Sequence, residues 1–145
     1  MDIKNKRVVN LKLEMMDSHK AIVYVEDDRD LINLVSLILK RRGIEVIGVS
    51  NPHSAMDTIL EVKPRVILLD LMMPEVDGWE IYHNLKNQPE TSGIPVIIIS
   101  AKAQPIDQVL GLHVAKVDGY ICKPFQPEQL IATVEQWLIP DSQQQ

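Results

Sequence analysis

Along this chain, short runs that are apolar at consecutive positions alternate with longer segments whose apolar residues recur every three or four positions. The runs are Ala21–Val25, Glu45–Val49, Val66–Leu69, Val96–Ile99 and Gly119–Cys122, all rich in Val and Ile or bordered by them. Three of them are apolar on both faces, the pattern of strands buried inside a parallel sheet. Between them, Leu31, Leu34, Val35 and Ile38 fall at i, i+3, i+4 and i+7, with Gly43 following as a C-terminal cap. Pro52 opens a second helix that ends before Pro64, and Gly78 to Asn87 forms a third, closed by Pro89. Ile106, Val109, Leu110 and His113 mark a fourth behind Pro105, and Pro127 opens a fifth carrying Ile131, Val134 and Leu138.

Five strands and five helices in strict alternation predict an α/β fold, a doubly wound five-stranded parallel sheet with helices on both faces. Right-handed crossovers leave few topologies, and the small flavodoxin-like order 2-1-3-4-5 is the best candidate. That order fixes where function should lie. Ligands in such sheets bind outside the carboxyl ends of the strands, beside the switch between the first and third.

The residues at those ends carry chemistry. The first strand ends in Glu26-Asp27-Asp28, the third in Asp70, the fourth in Ser100 and the fifth in Lys123. Carboxylates converging on one rim repel one another unless a cation joins them, and a few hard oxygens open to water suit Mg²⁺, with Mn²⁺ as the alternative, better than zinc. An ammonium and a hydroxyl beside them complete the parts that phosphoryl transfer to a carboxylate requires. The simpler reading, in which these acids cap the helices that follow, fits Asp28 as well as any ligand role does. It fits Glu26, Asp27 and Asp70 poorly, because separate strand ends bring them together.

These pieces resemble the receiver domain of two-component response regulators. The matching residues are Val25-Glu26-Asp27-Asp28, Asp70-Leu71-Met72-Met73-Pro74 with Asp77-Gly78, Ser100-Ala101, and Tyr120-Ile121-Cys122-Lys123-Pro124-Phe125. The similarity runs from about Lys20 to Leu138, with the motifs in the family's order and spacing. It implies Asp70 as phosphoacceptor and a metal site made by Glu26, Asp27, Asp70 and the backbone carbonyl of Met72. It further implies Ser100 as the switch hydroxyl, Tyr120 as the aromatic that moves with it, Lys123 as the phosphate-binding lysine and a cis peptide between Lys123 and Pro124. A sensor histidine kinase or phosphotransfer protein would donate the phosphoryl group, and output would pass through a phosphorylation-dependent contact with a downstream protein. Such a chain catalyses only its own phosphorylation and dephosphorylation, so no enzyme activity on another substrate is expected. One departure concerns the loop before the fifth strand. It reads Ala115-Lys116-Val117, and Lys116 carries a strain of about 1 kcal/mol if it must take positive φ.

Composition narrows the partners. At 145 residues, 46% hydrophobic and 24% charged, the chain has ordinary globular usage and room for one domain. A formal net charge of −5 argues against direct nucleic-acid binding. Cys122 is the single cysteine, no apolar run approaches the roughly 20 residues of a membrane span, and a cytoplasmic location is expected. Residues 1–19 read as a poorly structured extension, 20–139 as the receiver and 140–145 as a flexible tail. The remainder after Leu138 is too short for a DNA-binding module, so the expected type is a stand-alone, chemotaxis-like receiver, or a fragment of something longer. Gln126 through Gln145 contains no lysine or arginine, which argues against an ion-paired dimer facing acids such as Asp118. The four histidines share no ligand spacing. Two other functions compete with this one. A Mg²⁺-dependent aspartyl-phosphate phosphatase would need an acid at Met72, two residues beyond the nucleophile. A phosphorylation-independent adaptor would have no use for an intact site.

Overall fold

The computed structural model describes residues 21–101 and 116–138. The expectations for the N-terminal extension, the fourth helix and the C-terminal tail lie outside the described residues. Within them the elements are β1 (Ala21–Val25), α1 (Arg29–Lys40), β2 (Glu45–Val49), α2 (Ala55–Val62), β3 (Val66–Leu69), α3 (Gly78–Lys86), β4 (Val96–Ser100), β5 (Gly119–Cys122) and α4 (Pro127–Leu138). The last is the fifth helix that the sequence predicts.

All five strands are parallel, in the order β2-β1-β3-β4-β5. This is the expected doubly wound sheet. β1, β3 and β4 are buried along their whole length, which explains why they read as unbroken apolar runs. Strand alternation divides the core in two. On one face Val23, Val25, Ile67, Leu69 and Ile98 meet α2 and α3 through Ile59, Ile81 and Leu85. On the other, Ile22, Tyr24, Leu68, Ile97, Ile99 and Ile121 meet α1 and α4 through Val35, Leu39, Leu130 and Val134. Each such fully buried Ile, Leu or Val contributes on the order of 1.5–3 kcal/mol.

Local chemistry sets the boundaries. Asp28 caps α1, its side chain accepting from the Asp30 and Leu31 amides. α1 ends at Arg41, and Gly43 takes φ +74° two residues later, donating to the Lys40 carbonyl at 3.0 Å. Pro52 does not open an α-helix as expected. Asn51 accepts the His53 amide and closes a 3₁₀ turn over Pro52–Ser54, and α-helical bonding starts only at Ala55. Lys63 then ends α2 in the left-handed region, just before Pro64. A second feature the pattern does not foretell is a two-residue hairpin, Met72–Met73 against Val76–Asp77, too short to show periodicity. Its turn has Pro74 followed by Glu75 at φ 66°, the arrangement of a type II turn. Lys116 stands at φ 61°, the strained conformation considered from the sequence. Asp118 turns inward, accepting the Val96 amide at 2.8 Å with Lys86 Nζ 3.9 Å away. No helix among the described residues is long and apolar enough to cross a membrane.

Candidate functional site

Three strand ends build the site. β1 delivers Glu26 and Asp27. The Glu26 amide donates to the Val49 carbonyl and the Asp70 amide to the Val25 carbonyl, each at 3.0 Å, so both acids are anchored at the sheet rim by sheet-type bonds. Lys123 follows β5, its amide bonded to the Ser100 carbonyl at 2.9 Å, and the Lys123–Pro124 peptide is cis, as expected. The carboxylates of Glu26, Asp27 and Asp70 each present an oxygen within 4.8 Å of the others. Glu26 and Asp70 are buried, whereas Asp27 is exposed and opens the cluster to solvent.

Lys123 Nζ contacts Glu26 Oε1 at 2.5 Å and lies 3.5 Å from Asp70 Oδ2. Asp70 Oδ1 accepts the Met72 amide at 3.2 Å, and the Met72 side chain is exposed. Burial first, and then the neighbouring Asp70 carboxylate, push the Glu26 carboxyl up to about 8 against the pull of Lys123. Tyr24, fully buried, places its hydroxyl 3.4 Å from Glu26 Oε1. Burial, and then the acids around it, lift that phenol far above its ordinary range. Ser100 closes β4, fully buried and paired in register with Cys122, and Tyr120 is half-buried on β5 against the α2–α3 side of the core.

The structure therefore brings Glu26, Asp27, Asp70 and Lys123 into one cluster. Ser100 ends β4, which lies between the strands leading to Asp70 and Lys123, and Tyr120 is on β5 three residues before Lys123. Two contributors were given no role in the site from the sequence. For Tyr24 one was legible, since a strand period of two puts it on the face of Glu26. Gly78 stands within the matching motif, but its role depends on a tertiary contact. It opens α3 behind the Asp77 cap, and its amide bonds the Leu71 carbonyl at 3.0 Å. A Cβ there would run into the Asp70 carbonyl and the Leu71 Cα.

The donor set fits a hard divalent cation. Its side chains offer carboxylate oxygens, and Glu26 Oε2 is buried with no hydrogen bond. A buried carboxylate oxygen without a donor is costly, and a cation would satisfy it.

Comparison with known proteins agrees with this geometry. Residues 22–135 match the family model for the response regulator receiver domain. The chain is 34% identical over 115 residues to the DNA-binding response regulators MtrA of Mycolicibacterium paratuberculosis and Mycobacterium leprae. The match takes in 79% of this chain and 49% of each of those proteins, so the chain spans about half the length of these relatives. Among solved structures, the BeF3-activated N-terminal receiver domain of Klebsiella pneumoniae RstA superposes with a TM-score of 0.75 at 26% identity, covering 83% of this chain and 100% of that one. The chemotaxis response regulator CheY4 of Vibrio cholerae, at 24% identity, shares the fold with a TM-score of 0.74 over 83% of this chain and 99% of its own.

Proposed function

Because this chain belongs to the family of response regulator receiver domains, we propose that it accepts a phosphoryl group on Asp70 from a sensor histidine kinase or phosphotransfer protein. The observation that supports this most is the convergence of three carboxylates within 4.8 Å, with a lysine ammonium 3.5 Å from Asp70 Oδ2. In this reading Glu26, Asp27, Asp70 and the Met72 carbonyl hold Mg²⁺. The cation would neutralise the acids and coordinate phosphoryl oxygens.

The chain's own residues then do the following. A carboxylate oxygen of Asp70 attacks phosphorus. The P–N bond of the donor phosphohistidine breaks, its electron pair goes to the imidazole nitrogen, and that nitrogen takes up a proton from solvent. The Met72 amide orients Asp70 by bonding Oδ1. Lys123 balances charge on the phosphoryl group, and Ser100 turns its hydroxyl toward it. Tyr120 follows inward, which changes the surface offered to a downstream protein. The chain acts on no other substrate, and its output is a protein contact rather than direct nucleic-acid binding.

Acetyl phosphate with Mg²⁺ serves as the test, read by intact-mass spectrometry. One phosphoryl group is expected on the wild-type chain, with none on Asp70→Asn and none after chelation. Equal labelling of Asp70→Asn refutes the assignment.

A further inference from the structure

We propose that Tyr24 is a positioning residue for the acid cluster: its buried hydroxyl holds Glu26 Oε1 and so leaves Glu26 Oε2 free to take a cation. The inference rests on the proposed reading of the site and goes beyond it.

Ile22, Tyr24 and Glu26 point to the same side of β1, and Tyr24 fills the core between α1, α4 and the sheet with no exposed surface. A phenylalanine would occupy that space without a polar atom. Burying a hydroxyl costs roughly 1–3 kcal/mol when it is poorly partnered. The hydroxyl's contact is Glu26 Oε1 at 3.4 Å, longer than a strong O–H···O bond, so it orients more than it stabilises.

The other donor to that oxygen is Lys123, and Lys123 is shared. Its Nζ also lies 3.5 Å from Asp70 Oδ2, where a phosphoryl group would draw it away. The terminal torsion of a glutamate is broad, so a carboxylate held only by a departing lysine would swing. Tyr24 is fixed in the sheet two residues from Glu26 and cannot leave. One oxygen of Glu26 therefore has two donors and the other has none. This asymmetry points Glu26 as a one-oxygen ligand.

The test is calorimetric titration of Mg²⁺ alone into the wild-type chain, Tyr24→Phe, Glu26→Gln and the double variant. Removing the hydroxyl should weaken Mg²⁺ about tenfold, the low end of what loss of an outer partner costs a metal site. It should have no further effect in the Glu26→Gln background. In acetyl phosphate labelling, the Mg²⁺ concentration for half-maximal rate should rise while the rate at saturating Mg²⁺ holds. The urea midpoint in chelator should not fall, because the apolar packing of the ring is retained. Tyr24→Met replaces Tyr24→Phe if the latter does not fold. Unchanged Mg²⁺ affinity in Tyr24→Phe, or an equal loss with and without Glu26, overturns the inference alone. Failure of the wild-type chain to bind Mg²⁺ overturns the proposed function and the inference together.

Discussion

Gly78→Ala should damage both the fold and the site, although the same change at the start of most helices is harmless or helpful. Two opposing effects decide the sign. Alanine lowers the entropy of the unfolded chain and favours helix, a gain of about 0.4–1 kcal/mol. Against that, the new methyl would meet the Asp70 carbonyl and the Leu71 Cα, both backbone atoms that cannot swing aside as a side-chain tip would. Forcing a methyl into packed backbone costs about 1–3 kcal/mol. The net expectation is a loss of about 1–2 kcal/mol, or roughly 4–8 °C in Tm for a domain of this size.

The displaced atoms belong to Asp70, the residue proposed to accept the phosphoryl group, and to Leu71 beside it, so the second expectation is a lower rate of Asp70 labelling by acetyl phosphate at saturating Mg²⁺. Gly93→Ala is the control, because a Cβ there meets nothing within 4 Å and its φ is not in the left-handed region. It should be neutral or slightly stabilising. Gly43→Ala separates strain from crowding, since that position has open space but φ +74° and should cost about 1 kcal/mol without touching labelling. Urea denaturation of the three variants, with labelling rates beside it, settles the matter. A Gly78→Ala chain as stable as Gly93→Ala would refute the close-contact argument.

Two further outcomes follow from single residues. The Glu26 carboxyl stands near 8 in the folded chain against an ordinary 4.5, so between those pH values the folded state keeps a proton that the unfolded chain has released. Metal-free stability from this group is therefore full below pH 4.5 and is lost as pH rises toward 8, while Mg²⁺ binding at pH 7 should expel close to one proton. A flat urea midpoint in chelator across that range, or buffer-independent binding heats, would contradict it. Asp28→Ala should cost about 1 kcal/mol in urea through loss of the α1 cap and leave Asp70 labelling intact; loss of labelling in a folded variant would instead move Asp28 into the site.

Much of this molecule was legible before any coordinates. β1, β3 and β4 announced themselves because burial on both faces removes the need for polar alternation, and prolines marked the helix starts at Pro127 and near Pro52. The first carboxylate pair and Asp70 were legible because the strand order alone brings their positions to one rim. What escaped was either short or tertiary. The Met72–Asp77 hairpin has two residues per strand, below the length at which any period can be read. The 3₁₀ turn at Pro52 depends on a competition between the Asn51 side chain and backbone bonding. The Gly78 contact exists only once α3 has been laid against the loop after β3. Asp118 read from sequence as a surface acid, yet its carboxylate is committed to the Val96 amide. This gives it a structural task whatever surface the domain presents to partners.

The charge balance at the rim explains why these parts belong together. Glu26, Asp27 and Asp70 can carry three negative charges, and Lys123 is the ammonium the structure sets among them. Lys123 sits closer to Glu26 than to Asp70, 2.5 Å against 3.5 Å, so the residue proposed to receive the phosphoryl group is the less well compensated of the two. One unit charge at about 4 Å is worth only about 4 kcal/mol at an effective dielectric of 20, and here it is divided between two acids. A phosphoryl group, itself anionic, would therefore be repelled by the cluster as it stands. Part of that repulsion is removed when Glu26 holds a proton, but the proton then occupies an oxygen that a cation would need. The buried, undonated Oε2 of Glu26 and the exposed Asp27 are thus two sides of one arrangement. The first creates the demand for a second positive charge next to Asp70, and the second leaves the route by which it arrives from solvent.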